Sequence, residues 1–292
     1  MRYTLRQLEV FIAIAQSGNL TRAADHLAMS QSAASSALKD LENQFDVQLF
    51  DRIGKRLQLN EQGRLLLPEA MSLMEQATAL QNNLMQHNGT GKLRVGATLT
   101  IGNYMAVGMV ADYLKQHPGA EIALTVDNTE HIVSKVLNFE LDVAMIEGEI
   151  NHPDLDIQPW QDDELVVFCH PDHPLAKLDS ADDQALAQAQ WILREEGSGT
   201  RQAFDRGMHG LLPQLTVAIE LEHTEAIKRA VQADLGIGCL SRITLEDAFG
   251  RGDLCEVNTP HRDFGRQLYI VLHKQKFKTA GLEAWLKLCE NV

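Results

Sequence analysis

The chain has 292 residues, 45% of them hydrophobic, enough to bury two or three cores. Its formal net charge of −14 argues against a nucleic-acid partner for the chain as a whole, but the charge is uneven: residues 1–65 carry eight Lys/Arg against seven Asp/Glu, and the rest eighteen against thirty-three. No apolar run approaches the roughly 20 residues that span a bilayer, and polar residues scattered through MRYTLRQLEVF leave no signal peptide, so a cytoplasmic protein without membrane contact is expected.

In chain order, the first informative segment is NLTRAADHLAMSQSAASSALKDLE, from Asn19 to Glu42. Leu20, Ala23, Ala24 and Leu27 fall at i, i+3, i+4 and i+7, one apolar face of a helix. The turn Ala28-Met29-Ser30 follows, and Ser30 suits the N-cap of a second helix beginning near Gln31. On that helix Ala34, Ala37, Leu38 and Leu41 face inward, while Gln31, Ser32, Ser35, Ser36 and Lys39 stay outside. An ordinary helical hairpin would carry Glu and Lys on that outer face. Short hydrogen-bonding side chains with one cation instead suit a helix-turn-helix reading the major groove of double-stranded DNA. In DRIGKRLQL, Arg52, Lys55 and Arg56 surround a turn at Gly54, which predicts a small hairpin wing. Such a wing reaches phosphates or the minor groove, and Thr21 is expected to touch the DNA backbone beside it.

Four runs carry a family resemblance: LRQLEVFIAIAQSGNLTRAADHL, SQSAASSALKDLE, QLFDR and NEQGRLLLP. Over about sixty consecutive residues the chain resembles the DNA-binding domain of LysR-type transcriptional regulators. Two positions depart from that pattern. Asp46 stands where the family usually has Gly, and Ala34 replaces a common Val, which puts local turn geometry and packing in question. The resemblance implies an effector-responsive regulator built as a dimer of dimers, with RNA polymerase as a further partner.

From Glu61 to Asn88 a long helix is expected, with Pro68 near its start. Leu66, Ala70, Leu73, Ala77, Leu80 and Leu84 are spaced 4, 3, 4, 3, 4, a heptad seam about three repeats long. A seam on a polar helix needs a partner helix. A second copy of the chain is the natural one and would require an imperfectly palindromic operator; packing on the helix's own domain is the alternative. The polar run His87 to Lys92 reads as a linker.

Beyond it, LRVGAT, IALTVDN and LDVAMIEG read as strands, with helices from Gly102 to His117 and from Thr129 to Phe139 between them. The alternation restarts with WILREE, LTVAIELEHT, GIGCLS and LYIVLHK and ends in a helix from Thr279 to Glu290. This predicts a mostly parallel sheet with helices on both faces, in two α/β units that the stretch Gln158 to Leu175 connects. Two such units facing across a cleft form a clamshell like that of periplasmic binding proteins, the fold the LysR resemblance also implies. The expected fold class is therefore α/β with an N-terminal all-α winged helix-turn-helix domain. The expected division is residues 1–60, a linker and dimerisation helix at 61–90, and an effector domain at 91–292. Within the last, one subdomain spans about 91–161 plus 267–292 and the other about 162–266.

Ligands of open α/β sheets bind beyond the carboxyl ends of strands, at helix N-termini. The candidates there are Thr98 and Thr100, Asn128 and Thr129, Glu147, the run Gly197-Ser198-Gly199-Thr200-Arg201, and His223 with Thr224. Converging backbone N–H groups, hydroxyls and a guanidinium favour a small anion. Glu147 would repel it unless one of the two holds a proton or the ligand also carries an amine. No enzyme activity, metal or cofactor is expected. The four cysteines lack Cys-x-x-Cys or zinc spacing, and HPDHPL reads as a proline-stiffened turn. The chain holds no H-E-x-x-H, G-x-S-x-G or phosphate-loop motif. Two other readings stay open: a constitutive DNA-binding regulator with a structural C-terminal domain, and an anion-using enzyme with a clamshell fold.

Overall fold

The computed structural model describes residues 2–53, 56–84 and 92–290, leaving aside the side chains of residues 53, 56 and 82–84. The described residues form two compact units, an N-terminal one that ends its helical run at Leu84 and a C-terminal one that begins with the strand at Lys92.

The N-terminal unit contains helices α1 (Leu5–Ser17), α2 (Leu20–His26) and α3 (Gln31–Phe45), strands β1 (Phe50–Ile53) and β2 (Arg56–Leu59), and helix α4 (Glu61–Leu84). Its boundaries follow from capping chemistry. Gly18 closes α1 in the left-handed conformation at φ 61°, and the Asn19 side chain at once accepts from the Thr21 and Arg22 N–H groups to start α2. Ser30 caps α3 by accepting from the Ala33 N–H. Asp46 ends α3 at φ 52°, so this position calls for the left-handed backbone that Gly supplies without strain, and a short Asp tolerates it. Ala34 lies fully buried in the core with Phe11, Ala23, Ala24, Leu38 and Leu41.

β1 and β2 pair antiparallel from Phe50↔Leu59 to Ile53↔Arg56, forming the wing hairpin. The wing is tied to its neighbours by Leu57 N–H donating to the Gly18 carbonyl and by Glu42 accepting from the Leu49 N–H. Gly63 permits the close approach of α4, since a Cβ there would lie 2.2 Å from the Leu49 carbonyl oxygen. The α4 seam is divided. Leu66, Ala70 and Leu73 pack into the core of their own unit, whereas Leu80 is 59% exposed. Residues 85–91 lie outside the described residues, and Lys92, expected in a linker, already belongs to a strand.

The C-terminal unit holds one nine-stranded sheet. Its strands are β3 (Lys92–Ala97), β4 (Glu121–Val126), β5 (Val143–Ile146), β6 (Leu155–Cys169), β7 (Gln190–Arg194), β8 (Thr216–Leu221), β9 (Ile237–Ser241), β10 (Cys255–Val257) and β11 (Gly265–His273). The order is β4-β3-β5-β11-β6-β9-β7-β8, with β10 also paired to β6. Within each half the pairs are parallel, β3 with β4 and β5, β7 with β8 and β9. The expected parallel sheet is thus a mixed one. β6 and β11 run antiparallel to each other from Gly265↔Glu164 to His273↔Leu155, and beyond Glu164 the same β6 continues against β9. The connection read at Gln158 to Leu175 is therefore largely one uninterrupted strand that passes from the first half into the second. Each half buries apolar clusters on both sheet faces, around Trp285 and Ile132 in the first and around Trp191 and Ile227 in the second.

Candidate functional site

The outer face of α3 presents Gln31, Ser32, Ser36 and Lys39 exposed and Ser35 half-buried. Ser32 exchanges a 3.0 Å hydrogen bond with the cap Ser30, and Ser36 donates weakly to Asp40 at 3.5 Å. Among the described residues, Gln31, Ser35 and Lys39 engage no other group, so their donors and acceptors remain available to base edges. Ala33 is exposed in the same first turn, a methyl suited to contact with thymine that the polar pattern did not single out. Thr21 and Arg52 are exposed nearby on α2 and β1. Lys55 and Gly54 lie outside the described residues, as does the side chain of Arg56.

The second site is built at the strand ends between the two halves of the sheet. Glu147 follows β5 and is only 3% exposed. One of its carboxylate oxygens accepts from the Thr100 N–H at 2.6 Å and the Ile101 N–H at 3.3 Å. The other accepts from the Thr200 hydroxyl at 3.1 Å and from Arg266 at 3.2 Å. Arg266 lies on β11, 6% exposed, and also donates to Asp163 at 2.7 Å, whose other oxygen accepts from Ser241. Burial pushes the Glu147 pKa up, but the charges of Arg266 and Arg194 and the hydrogen bonds to the carboxylate together outweigh it and hold the carboxyl below the usual range. One buried guanidinium thus bridges two carboxylates, a hydrogen-bonded cluster at the centre of the unit.

Around this centre the halves meet closely. The Gly199 N–H donates to the Thr129 hydroxyl at 3.2 Å, and Gln202 exchanges hydrogen bonds with the Glu149 backbone at 2.7 and 3.1 Å. A Cβ on Gly199 would sit 2.4 Å from the Gly148 nitrogen, so the approach is backbone against backbone. On another side Tyr104, from a π-helical turn at Gly102–Ala106, donates to Glu225 at 2.5 Å, and Lys228 donates to both.

Two cavities flank the helix Thr129–Leu137. One, of about 520 Å³, is lined among others by Thr129, Gly197, Ser198, Gly199, Arg201 and four carboxylate-bearing residues, Glu130, Glu149, Glu196 and Asp205. The N-terminus of that helix and the N-terminus of the helix Gly199–Gly207 both open on it. The other, of about 300 Å³, is lined by Asn128, His131, Asp127, Glu195, Glu222 and His223 among others. Asp127 draws the exposed His131 pKa upward by a 2.9 Å hydrogen bond.

The structure therefore separates the sequence candidates. Thr100, Glu147 and Thr200 join in the central cluster; Thr129, Gly197, Ser198 and Gly199 line the larger cavity; Asn128 and His223 line the smaller. Among the described residues the buried Thr224 hydroxyl has no hydrogen-bond partner, while the buried Thr98 hydroxyl lies beside Glu147 and helps hold its carboxylate charged. Arg201, expected to bring a guanidinium to the Gly-Ser-Gly run, also lines the larger cavity. Its guanidinium is held by Asp205 at 2.9 Å, Glu220 at 3.0 Å and the Arg194 carbonyl, because Asp205 lies one turn on in the same helix. Arg266 was missed. It sits between Gly265 and Gln267 at the start of an apolar strand, with no local pattern to mark it.

A winged helix-turn-helix unit joined to a two-half α/β unit with polar strand ends defines a DNA-binding transcription factor with a sensory type of domain. The comparisons with known proteins agree. The model described as bacterial regulatory helix-turn-helix protein, lysR family, matches residues 5–64, and the LysR substrate binding domain matches residues 86–292. Over 290 residues the chain is 45% identical to the HTH-type transcriptional regulator YeiE of Escherichia coli (strain K12), covering 99% of this chain and 98% of that one. A full-length OxyR variant from Pseudomonas aeruginosa shares the fold with a TM-score of 0.76 at 22% identity, covering 99% and 95%. The CcmR regulatory domain from Synechocystis PCC6803, solved in complex with 2-PG, is 30% identical over 69% of this chain and 96% of that one, with a TM-score of 0.64. The chain belongs to the LysR family of DNA-binding transcriptional regulators. Among its described residues no helix is long and apolar enough to cross a membrane.

Proposed function

We propose that this regulator reads its operator through the outer face of α3 and answers to a small anionic effector in the C-terminal cleft. Gln31, Ser32, Ser35, Ser36 and Lys39 address base edges, while Thr21 and the wing cations Arg52, Lys55 and Arg56 hold phosphates. The observation that carries the effector reading is the 520 Å³ cavity on which one helix N-terminus from each half opens, because the positive ends of two helix dipoles favour one anionic group. The 2-PG complex of the CcmR regulatory domain supports a small ligand in this type of domain. The four carboxylate-bearing residues at the rim select for anions that also carry a proton or an amine. The ligand touches both halves, favours one angle between them, and so biases the DNA-binding units.

A thermal-shift screen of small carboxylates, inorganic oxyanions and amino acids on the full chain tests this. A ligand at 100 times its Kd adds roughly 2.7 kcal/mol of stability. Gly199→Ala places a methyl against the Gly148 backbone and wedges the halves apart. It is expected to abolish that shift while unliganded DNA binding persists; an unchanged shift would move the site elsewhere.

The exposed Leu80 on a helix whose first half is already packed supports self-association through the second half of α4. Two-fold pairing there sets two α3 helices on an imperfect palindrome, and pairing of dimers gives a cytoplasmic tetramer that meets RNA polymerase at the promoter. Leu80→Asp is expected to give a smaller species by light scattering and weaker operator binding. Retention of the full assembly would place the interface outside α4.

A further inference from the structure

Away from both cavities, β6 and β10 pair antiparallel with Cys255 directly opposite Cys169, and the two sulfur atoms lie 3.5 Å apart. Opposed residues in antiparallel strands have Cα atoms about 4.5–5.5 Å apart, inside the range a disulfide needs. Closing to a bond of about 2.0 Å takes side-chain rotation and little backbone movement. Both are free thiols. Cys169 is 0% exposed, whereas Cys255 is half-buried and is the sulfur a solute reaches first. The other two cysteines are buried elsewhere, Cys239 opposite Val167 on β9 and Cys289 in the last helix.

We infer that Cys169 and Cys255 form a dithiol site that a two-electron oxidant of the hydroperoxide class converts into an intrachain disulfide. The Cys255 thiolate attacks one peroxide oxygen and the O–O bond breaks. With hydrogen peroxide the departing hydroxide takes up the proton Cys255 released, giving water and a sulfenic acid; with an organic hydroperoxide the departing alkoxide takes it up as an alcohol. The Cys169 sulfur then attacks the Cys255 sulfur, the S–O bond breaks, and the hydroxyl leaves with the Cys169 proton as water. The two thiols lose two electrons between them and the peroxide gains two. Burial pushes the Cys169 thiol well above its ordinary pKa, which suits it to act second, on a sulfur already in contact, rather than first on a solute. Cys169 lies six residues along β6 from Asp163, roughly 20 Å at about 3.3 Å per residue, so the modification is separable from the central cluster.

The test uses the full chain, reduced, freed of reductant, and treated with a slight molar excess of hydrogen peroxide. Thiols counted after denaturation are expected to fall from four to two. Non-reducing peptide mapping is expected to join the Cys169 and Cys255 peptides, and dithiothreitol to restore both. Cys255→Ser, checked for folding by circular dichroism, is expected to keep its three remaining thiols under the same treatment. Retention of four thiols by the folded wild type overturns the proposal. So does a link through Cys239 or Cys289, a link between chains, or oxidation that stops at a sulfinic acid on Cys255.

Discussion

The two functional regions use polar side chains in opposite ways. On α3 the polar groups point out of a core made of alanines and leucines, and several engage nothing else in the described chain. In the cleft the polar groups point inward and satisfy one another, Glu147 with Arg266, Thr100 and Thr200, and Asp163 with Arg266 and Ser241. A surface that must match an external partner leaves hydrogen-bonding capacity unused, while a buried junction between two halves satisfies most of its own, with the Thr224 hydroxyl as an exception. Substitutions should therefore separate cleanly, with stability changes in the cleft and recognition changes on α3.

Arg266→Met is expected to show the largest effect. It strands Glu147 and Asp163 as buried carboxylates and should cost about 3–5 kcal/mol in the unfolding of the C-terminal unit. The loss should shrink on acidification. Glu147 is held below its ordinary value of 4.5 in the folded chain, so the stability linked to its charge is present above that value and disappears as pH falls through the lower folded one. A loss under about 1 kcal/mol at neutral pH would show that the cluster is not a buried junction.

Next in size is the division of labour on DNA. Gln31→Ala should leave thermal stability unchanged yet cost about 1–3 kcal/mol on the preferred operator and relax its sequence preference. Arg52→Ala should weaken binding to every sequence alike and lower the salt slope by about one. The contrast fails if both substitutions erode specificity equally in salt-titrated binding assays. The smallest effect is expected at Asp46→Gly, which relieves a left-handed C-cap and should stabilise the N-terminal unit by about 0.5–1 kcal/mol without altering operator preference. A fall in melting temperature would mean that the Asp side chain contributes more than its backbone costs.

The helices of the N-terminal unit were legible because their determinants are local. The i, i+3, i+4 pattern of Leu20, Ala23 and Ala24 and the Ser30 cap lie within one or two turns of what they organise. The strand ends of the C-terminal unit were legible for the same reason, since Thr129 and Ser198 each begin or precede a helix. What joins them was not. Arg266 meets Glu147 across 119 positions, and nothing beside it in the sequence announces a buried ion pair. Arg201 is placed at the larger cavity as its position after the glycine-rich run suggests, but its ion pairs with Asp205 one turn on and Glu220 on β8 could not be read from that run. The alternation of strands and helices indicated parallel pairing. It could not register that β6 serves both halves and that β11 enters antiparallel to both β5 and β6.

The ribbon made by β6 and β11 has a mechanical consequence. A clamshell whose halves are joined by loose loops swings freely and stops only where surfaces collide. Here the halves share hydrogen-bonded strands paired from Gly265↔Glu164 to His273↔Leu155, interrupted by one register shift between Leu268 and Tyr269. Turning one half against the other twists this ribbon like a torsion spring, with the register shift as its softest point. An effector that acted by changing the angle between the halves, as proposed, would have to work against this paired ribbon.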